Sequence, residues 1–252
     1  MSDVKIIVFD LDETLLDNQR KVTDFTLAVL NELRAKGHKL VINTARSTPF
    51  QKEIFDIIKP DYSIVCGGAA ILDGNGEIIY ERCIDAKTAA VFISELYPIA
   101  DNICEEIGDI CYCTTPSVYR PNDFIYDFSK GAPEGKTQKI LAATERHEDL
   151  AKLVKKYGLL EIRYHNGYWR RIGHPLSTKE EGLFALQRIA GFDPEDVIAF
   201  GDDHGDVGMI RAAGIGVLMK NANEELYPLC PCISEYTNDE DGVARFLKNL
   251  LL

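Results

Sequence analysis

The chain has 252 residues, 46% hydrophobic and 27% charged, enough for one large domain or a core with a smaller insertion to bury a sizeable interior. Its formal net charge of −12 opposes nucleic acid and anionic membrane surfaces, which need a basic face to displace counterions. Met1 leads into no basic segment followed by an apolar one, no long apolar run occurs, and the seven scattered cysteines read as reduced thiols, so a cytoplasmic protein with no membrane span is expected.

In chain order, "VKIIVFD" reads as a buried strand that runs into Asp10. "VTDFTLAVLNELRAKG" sets Phe25, Leu27, Ala28, Leu30 and Leu33 at helical spacing and closes at Gly37. "HKLVINTA" is a second strand, "TPFQKEIFDIIK" a helix with Pro49 in its first turn, and "YSIVCGG" a third strand. This alternation predicts an α/β fold, a doubly wound parallel sheet with right-handed crossovers. "AAILDGNGEIIYE" then predicts a hairpin about Asp73-Gly74-Asn75-Gly76.

From about Cys83 the rhythm changes. A helix over Ala86 to Leu96 precedes strand-like runs "ICYCTT", "DFIYDFS", "LLEIRYH" and "YWRRIGH", with a helix in "HEDLAKLVKKYG" and a hairpin turn at Asn166-Gly167. This middle third reads as an α+β unit with an antiparallel sheet. After Lys179 the first rhythm resumes with "EEGLFALQRIAG", "DVIAFGD", "GDVGMIRAAG", "IGVLM" and the terminal helix "DEDGVARFLKNLLL". The expected organisation is a core made of residues 1–82 and 179–252 with a cap at 83–178. In the C-x-C pairs Cys111/Cys113 and Cys230/Cys232, period two puts both sulfurs on one strand face; no C-x2-C spacing or nearby histidine supports a soft-metal site.

In an open parallel sheet, ligands gather at the carboxyl ends of the strands. Those ends are Asp10-Leu11-Asp12, Asn43-Thr44-Ala45-Arg46, Cys66-Gly67-Gly68 and Gly201-Asp202-Asp203. Turn formation and helix capping explain one such end comfortably, but not four together. Bunched carboxylates stay ionised only around a hard cation, and Mg²⁺ takes oxygen ligands together with a substrate phosphate. The chemistry that fits is metal-assisted phosphoryl transfer, with a carboxylate attacking phosphorus and a second acid moving the proton. Hydroxyls, backbone N–H groups and a lysine would hold the transferring charge.

These residues carry a resemblance. "DLDET" is similar to the D-x-D-x-T motif of the haloacid dehalogenase superfamily, Thr44 in "INTAR" to its second motif, Lys179 to its third and "GDDHGD" to its acidic fourth. "DPEDVIAFGD", "KNANEEL" and "TNDEDGVARFL" resemble its Cof-type branch (subfamily IIB), whose α+β cap lies between motifs two and three. The resemblance implies a Rossmann-like core and Mg²⁺ as cofactor. It makes Asp10 nucleophile and metal ligand, and Asp12 general acid/base with its backbone carbonyl on the metal. Thr14 and Thr44 would hold the phosphoryl group, Lys179 would neutralise it, Asp202 would bind metal, and Asp206 would support the metal or Lys179. Ala45, Arg46 and Gly68 on the same rim are candidate substrate contacts. Spacing independently puts Asp206 in the first turn of a helix, where the dipole favours a carboxylate.

The chain departs from the branch pattern at Gly205 and Gly67, where asparagine is usual, and at Arg171, where glutamate often stands. In the cap, "RYHNGYWRRIGHP" offers Arg171 as a grip on the distal part of a substrate; the competing reading is a solvated hairpin with Trp169 packed inward. His38, His147 and His165 are expected at the surface, and His204 as a bystander to an oxygen-rich site. The expected function is an Mg²⁺-dependent phosphatase of a small phosphorylated metabolite, a sugar phosphate or similar monoester, working as a monomer or small homo-oligomer. A phosphosugar mutase of the phosphomannomutase type and a catalytically silent binder of a phosphorylated ligand are the alternatives.

Overall fold

The computed structural model describes residues 4–47, 52–115, 123–163 and 168–252. The chain divides into two compact units, one of Met1–Arg46, Gln51–Tyr80 and Thr178–Leu252, the other of Ser47–Phe50 and Glu81–Ser177. Among the described residues, no helix is long and apolar enough to cross a membrane.

The first unit holds β1 (Ile6–Phe9), α1 (Asp24–Ala35), β2 (Lys39–Asn43), α2 (Lys52–Ile58), β3 (Tyr62–Val65) and β4 (Ala70–Asp73); β5 (Ile78–Glu81) completes the hairpin. The chain returns to this unit with α5 (Lys179–Ala190), β12 (Val197–Gly201), α6 (Val207–Ala212), β13 (Ile215–Leu218), β14 (Cys232–Ile233) and α7 (Gly242–Leu251). The eight strands are ordered β14-β13-β12-β1-β2-β3-β4-β5. Pairing is parallel from β14 to β3 and turns antiparallel between β3 and β4.

β1 is central, which is why "IIVF" is an unbroken apolar run: both faces of the sheet are covered. Ile7 and Phe9 join Leu30 and Leu33 of α1 and Leu247 of α7 in one core cluster. Ile6 and Val8 point the other way, to Leu183 and Leu186 of α5 and Met209 of α6. Helices on both faces of a mostly parallel sheet make the fold doubly wound, as expected. α1 starts at Thr23, whose hydroxyl accepts the Thr26 N–H, and its end passes into Gly37 at φ +92°. The hairpin turn is set by Asp73, whose carboxylate accepts the Asn75 and Glu77 amides. Pro49 lies outside the described residues.

The second unit contains α3 (Ala86–Leu96), β6 (Asn102–Ile107), β7 (Ile110–Cys113), β8 (Asp123–Ile125), β9 (Lys139–Ala143), α4 (His147–Lys156), β10 (Leu160–Arg163) and β11 (Trp169–Gly173). Its strand order is β10-β11-β9-β6-β7-β8. The sheet is antiparallel except for the β7–β8 pair, which is parallel. β9, "KILAA", escaped the sequence reading although all five residues are buried. A short apolar run without alternation cannot be told from a helix segment by periodicity. The Asn166-Gly167 turn lies outside the described residues, while the flanking strands β10 and β11 do pair.

α3 and α4 cover one face of this sheet, burying Phe92, Ile93, Leu96, Leu150 and Leu153 against Ile103, Ile140 and Ile172. On the opposite face Cys104, Cys111, Cys113 and Leu141 cluster, with Trp169 packed against them. The two sulfurs of the Cys111/Cys113 pair therefore share a strand face. His38 corrects an expectation: it is 6% exposed, and its Nδ1 accepts the Lys5 N–H at 3.0 Å. It follows a helix end and precedes β2, where a polar side chain is buried once it finds a backbone donor. His165 lies outside the described residues.

Candidate active site

The site is built where β1, β2, β3 and β12 end. β1 stops at Asp10, whose N–H still bonds the Phe200 carbonyl of β12 at 3.1 Å. The chain then makes one wide turn, closed by the Leu16 N–H on the Leu11 carbonyl at 2.9 Å. Inside it Asp12 is extended (φ −68°, ψ 134°) and Glu13 left-handed (φ 55°, ψ 9°). Such i+5 turns recur at functional sites. Here the turn aims Asp12 and Thr14 in different directions. Asp12 meets Arg46, whose Nε and Nη2 bind its two carboxylate oxygens at 2.7 and 2.5 Å. The Thr14 hydroxyl donates to Asp202 Oδ1 at 2.6 Å.

After β2, Asn43, Thr44, Ala45 and Arg46 are stitched to the end of β3. The Thr44 carbonyl accepts the Gly67 N–H at 2.9 Å, and the Arg46 carbonyl accepts the Cys66 N–H at 2.8 Å. Cys66, Gly67 and Gly68 run at φ 53°, 65° and 98°, a tight reversal that only residues tolerant of the left-handed region enter readily. Gly68 is needed for a second reason. A Cβ there would stand 2.0 Å from the Thr178 carbonyl. Thr178 caps α5 by accepting the Glu181 N–H, so this close approach seats Lys179 at the first position of that helix. The Asn43 side-chain amide donates to the Lys179 carbonyl at 2.9 Å and pins it from the β2 side.

Lys179 is 7% exposed, and its Nζ reaches Asp206 Oδ1 at 2.6 Å and Asp10 Oδ1 at 3.0 Å. Asp206 is fully buried, its second oxygen accepting the Asp202 and Asp203 amides at 3.2 and 3.1 Å. That packing needs Gly201, where a Cβ would stand 2.4 Å from the Asp206 carboxyl carbon. Asp206 closes the short turn His204–Asp206 and stands at the N-terminus of α6.

The electrostatics follow from burial. Asp10 is pushed up to about 7 by burial and further by Asp206, while Lys179 pulls it down. Asp202 is pushed up to about 8, again by burial first and then by the charges of Asp206 and Asp10. Burial works against the Lys179 charge, but Asp10 and Asp206 outweigh it and raise its pKa. Asp10, Asp202 and Asp206 each offer an oxygen within 4.8 Å of the others. One lysine cannot neutralise three carboxylates, and apart from the Lys179 ion pair the buried Asp10 Oδ1 accepts no hydrogen bond. An all-oxygen donor set with an underused oxygen and excess negative charge fits a hard divalent cation.

The structure thus gathers Asp10, Lys179, Asp202, Asp206 and Thr14, and joins Asp12 to Arg46. Thr44 is buried, its hydroxyl accepting the Arg46 N–H at 3.2 Å. Arg171 lies in the second unit, 2% exposed, and its Nη2 donates to the carbonyl and hydroxyl of Ser177 at 2.9 and 3.1 Å. Its guanidinium is engaged within that unit and is not presented to solvent. His204 is exposed and pairs with Glu225 at 3.0 Å. Missed by the sequence reading are Asn221 and Asn238, which bind the turn after β1; "KNANEEL" stood out, but nothing local marks what an asparagine there will touch.

Comparison with known proteins agrees with this architecture. A family model described as haloacid dehalogenase-like hydrolase matches residues 7–247. A putative phosphatase of Mycoplasma pneumoniae is 28% identical, covering 98% of each chain. The 5-amino-6-(5-phospho-D-ribitylamino)uracil phosphatase YitU of Bacillus subtilis is 26% identical, covering 96% of each chain. The solved structure of BT4131, described as a subclass IIB sugar phosphatase, superposes with a TM-score of 0.79 at 21% identity, covering 98% of this chain and 99% of the other. With motif order, doubly wound core and carboxylate cluster in one chain, it belongs to the haloacid dehalogenase-like hydrolases, in their Cof-type branch of phosphatases.

Proposed function

We propose that the protein is an Mg²⁺-dependent phosphatase that hydrolyses a small phosphorylated metabolite, a sugar phosphate or similar monoester, through an aspartyl-phosphate. The observation that carries this reading is Lys179 set between Asp10 and Asp206, with Asp202 close by. Asp10, Asp202, Asp206 and the Asp12 carbonyl would hold the ion, which supplies positive charge for the phosphoryl oxygens.

An Asp10 oxygen attacks phosphorus, and the bond from phosphorus to the leaving oxygen breaks. Asp12 gives its proton to that oxygen. Water then attacks the aspartyl-phosphate, and the Asp12 carboxylate takes the water's proton, which restores Asp10 and releases phosphate. Arg46, bonded to both Asp12 oxygens, fixes the orientation of that carboxyl group. Lys179, Thr14 and Thr44 hold the transferring group. The second unit is read as the cap that selects the substrate. YitU, whose name gives it a phosphorylated ribityl chain, supports a polyol or sugar phosphate.

The test is phosphate release from a panel of phosphorylated metabolites with Mg²⁺, with EDTA and Asp10→Asn as controls. Release that depends on both Mg²⁺ and Asp10 is expected. Wild-type turnover by Asp10→Asn would overturn the mechanism.

A further inference from the structure

Glu13 separates Asp12 from Thr14 and holds the left-handed conformation, which costs energy for any residue with a Cβ. Its side chain is exposed, so no side-chain packing pays that cost. The compensation comes from the far end of the chain. The Glu13 carbonyl accepts the Asn221 side-chain amide at 2.8 Å. Asn221 Oδ1 in turn accepts the Asn238 N–H at 3.0 Å.

Asn238 is 5% exposed, and its own amide group donates to the Leu16 carbonyl at 2.9 Å and to Asn18 Oδ1 at 3.1 Å. The neighbouring Asp239 accepts the Asn18 N–H at 3.1 Å. Asn238 is itself held by a turn whose ends, Thr237 and Glu240, cap each other. Asn221 follows Met219, whose N–H bonds the carbonyl of Gly201, the residue before Asp202. One strip of chain therefore grips the turn at Glu13, Leu16 and Asn18 and is tied to the strand end that presents Asp202.

We propose that Asn221, seated by Asn238, is a positioning residue for the catalytic turn. It holds Glu13 left-handed, which sets Asp12 apart from Asp10 and keeps Thr14 on Asp202. The inference rests on the reading of Asp12 as the proton donor. A Glu13 released to the right-handed or extended region would rotate the peptides on both sides and swing Asp12 and Thr14 together.

Asn221→Asp is the discriminating variant. It keeps an oxygen for the Asn238 amide and replaces the donor to Glu13 by a second acceptor. Turnover of phenyl phosphate and p-nitrophenyl phosphate is measured, together with amide hydrogen exchange over residues 11–16. Phenolate is the poorer leaving group and relies more on a placed proton donor. Expected are a kcat for phenyl phosphate lower by about tenfold or more, a loss of no more than about threefold for p-nitrophenyl phosphate, and KM within about twofold. Exchange at Leu16 is expected to rise about tenfold or more.

Adding Glu13→Asn, a residue that tolerates the left-handed region, should restore part of the phenyl phosphate rate. Equal losses on both substrates, or unchanged exchange with unchanged kcat, would overturn the proposal. If the wild type hydrolyses neither aryl phosphate, exchange alone decides the clamp, and the phosphatase reading is decided separately by the metabolite panel: faster exchange in Asn221→Asp upholds the clamp, unchanged exchange overturns it.

Discussion

Lys179 donates to Asp206 at 2.6 Å inside a site where Asp206 has no solvent exposure and Lys179 almost none. A buried pair of this kind is unforgiving, because removing one partner strands the other charge. Lys179→Met keeps the length and loses the charge. It is expected to lower kcat by about 10²–10³-fold and to destabilise the metal-free protein by about 3–5 kcal/mol. Phosphate release and urea unfolding check the two effects separately.

The same cluster predicts stabilisation by metal without any substrate. Mg²⁺ that binds the folded carboxylates and not the unfolded chain adds about 2.7 kcal/mol at a hundredfold excess over its Kd. Asp202→Asn removes one of the three oxygens that approach within 4.8 Å, so its Mg²⁺-dependent rise in Tm should shrink or vanish. Thermal unfolding with Mg²⁺ and with EDTA measures the difference.

Two glycines of the site should differ in their tolerance of a side chain. Gly68→Ala forces a Cβ to 2.0 Å from the Thr178 carbonyl at φ +98°, and a loss of about 2–4 kcal/mol in urea unfolding is expected. Gly205 faces open space, with nothing within 4 Å of a Cβ and no positive φ. Gly205→Asn should change stability by no more than about 0.5 kcal/mol.

Glu105 in the second unit is fully buried, its Oε1 accepting the Thr137 hydroxyl at 2.6 Å while Oε2 accepts no hydrogen bond. Burial pushes its carboxyl from the ordinary 4.5 up to about 7. Between those values the folded chain keeps a proton that the unfolded chain has lost, so stability falls as pH rises across that window and levels off above it. Glu105→Gln cannot ionise. Its stability relative to wild type should be greater at pH 8 than at pH 5, as read from urea midpoints at about those two values.

Much of this was legible locally. An apolar run that stops at an acid marks Ile6 to Phe9 as a buried strand with a polar end at Asp10, because burial on both faces demands unbroken hydrophobicity. Ala86–Leu96 is a helix within the limits its spacing suggests, since helix period and caps are properties of neighbours in sequence. β9 was not legible. Its four apolar residues after Lys139 carry no period, and only its place between β11 and β6 makes it a strand.

Which residue types stand at the strand ends follows from the chain order alone, because the alternation of strand and helix brings every parallel strand to the same rim. Contacts among them were left to tertiary structure. Asp12 meets Arg46 34 residues away, Thr14 meets Asp202 across 188, and Asn221 reaches Glu13 across 208. A hydrogen bond closes within about 3 Å and depends on direction, so a shift of one turn would lose it. Periodicity constrains which face a side chain is on, but the crossing of separate elements sets that last ångström. In this chain the β1–β12 pairing and the packing of α5 against the β3 end bring Asp10, Lys179 and Asp206 to one point.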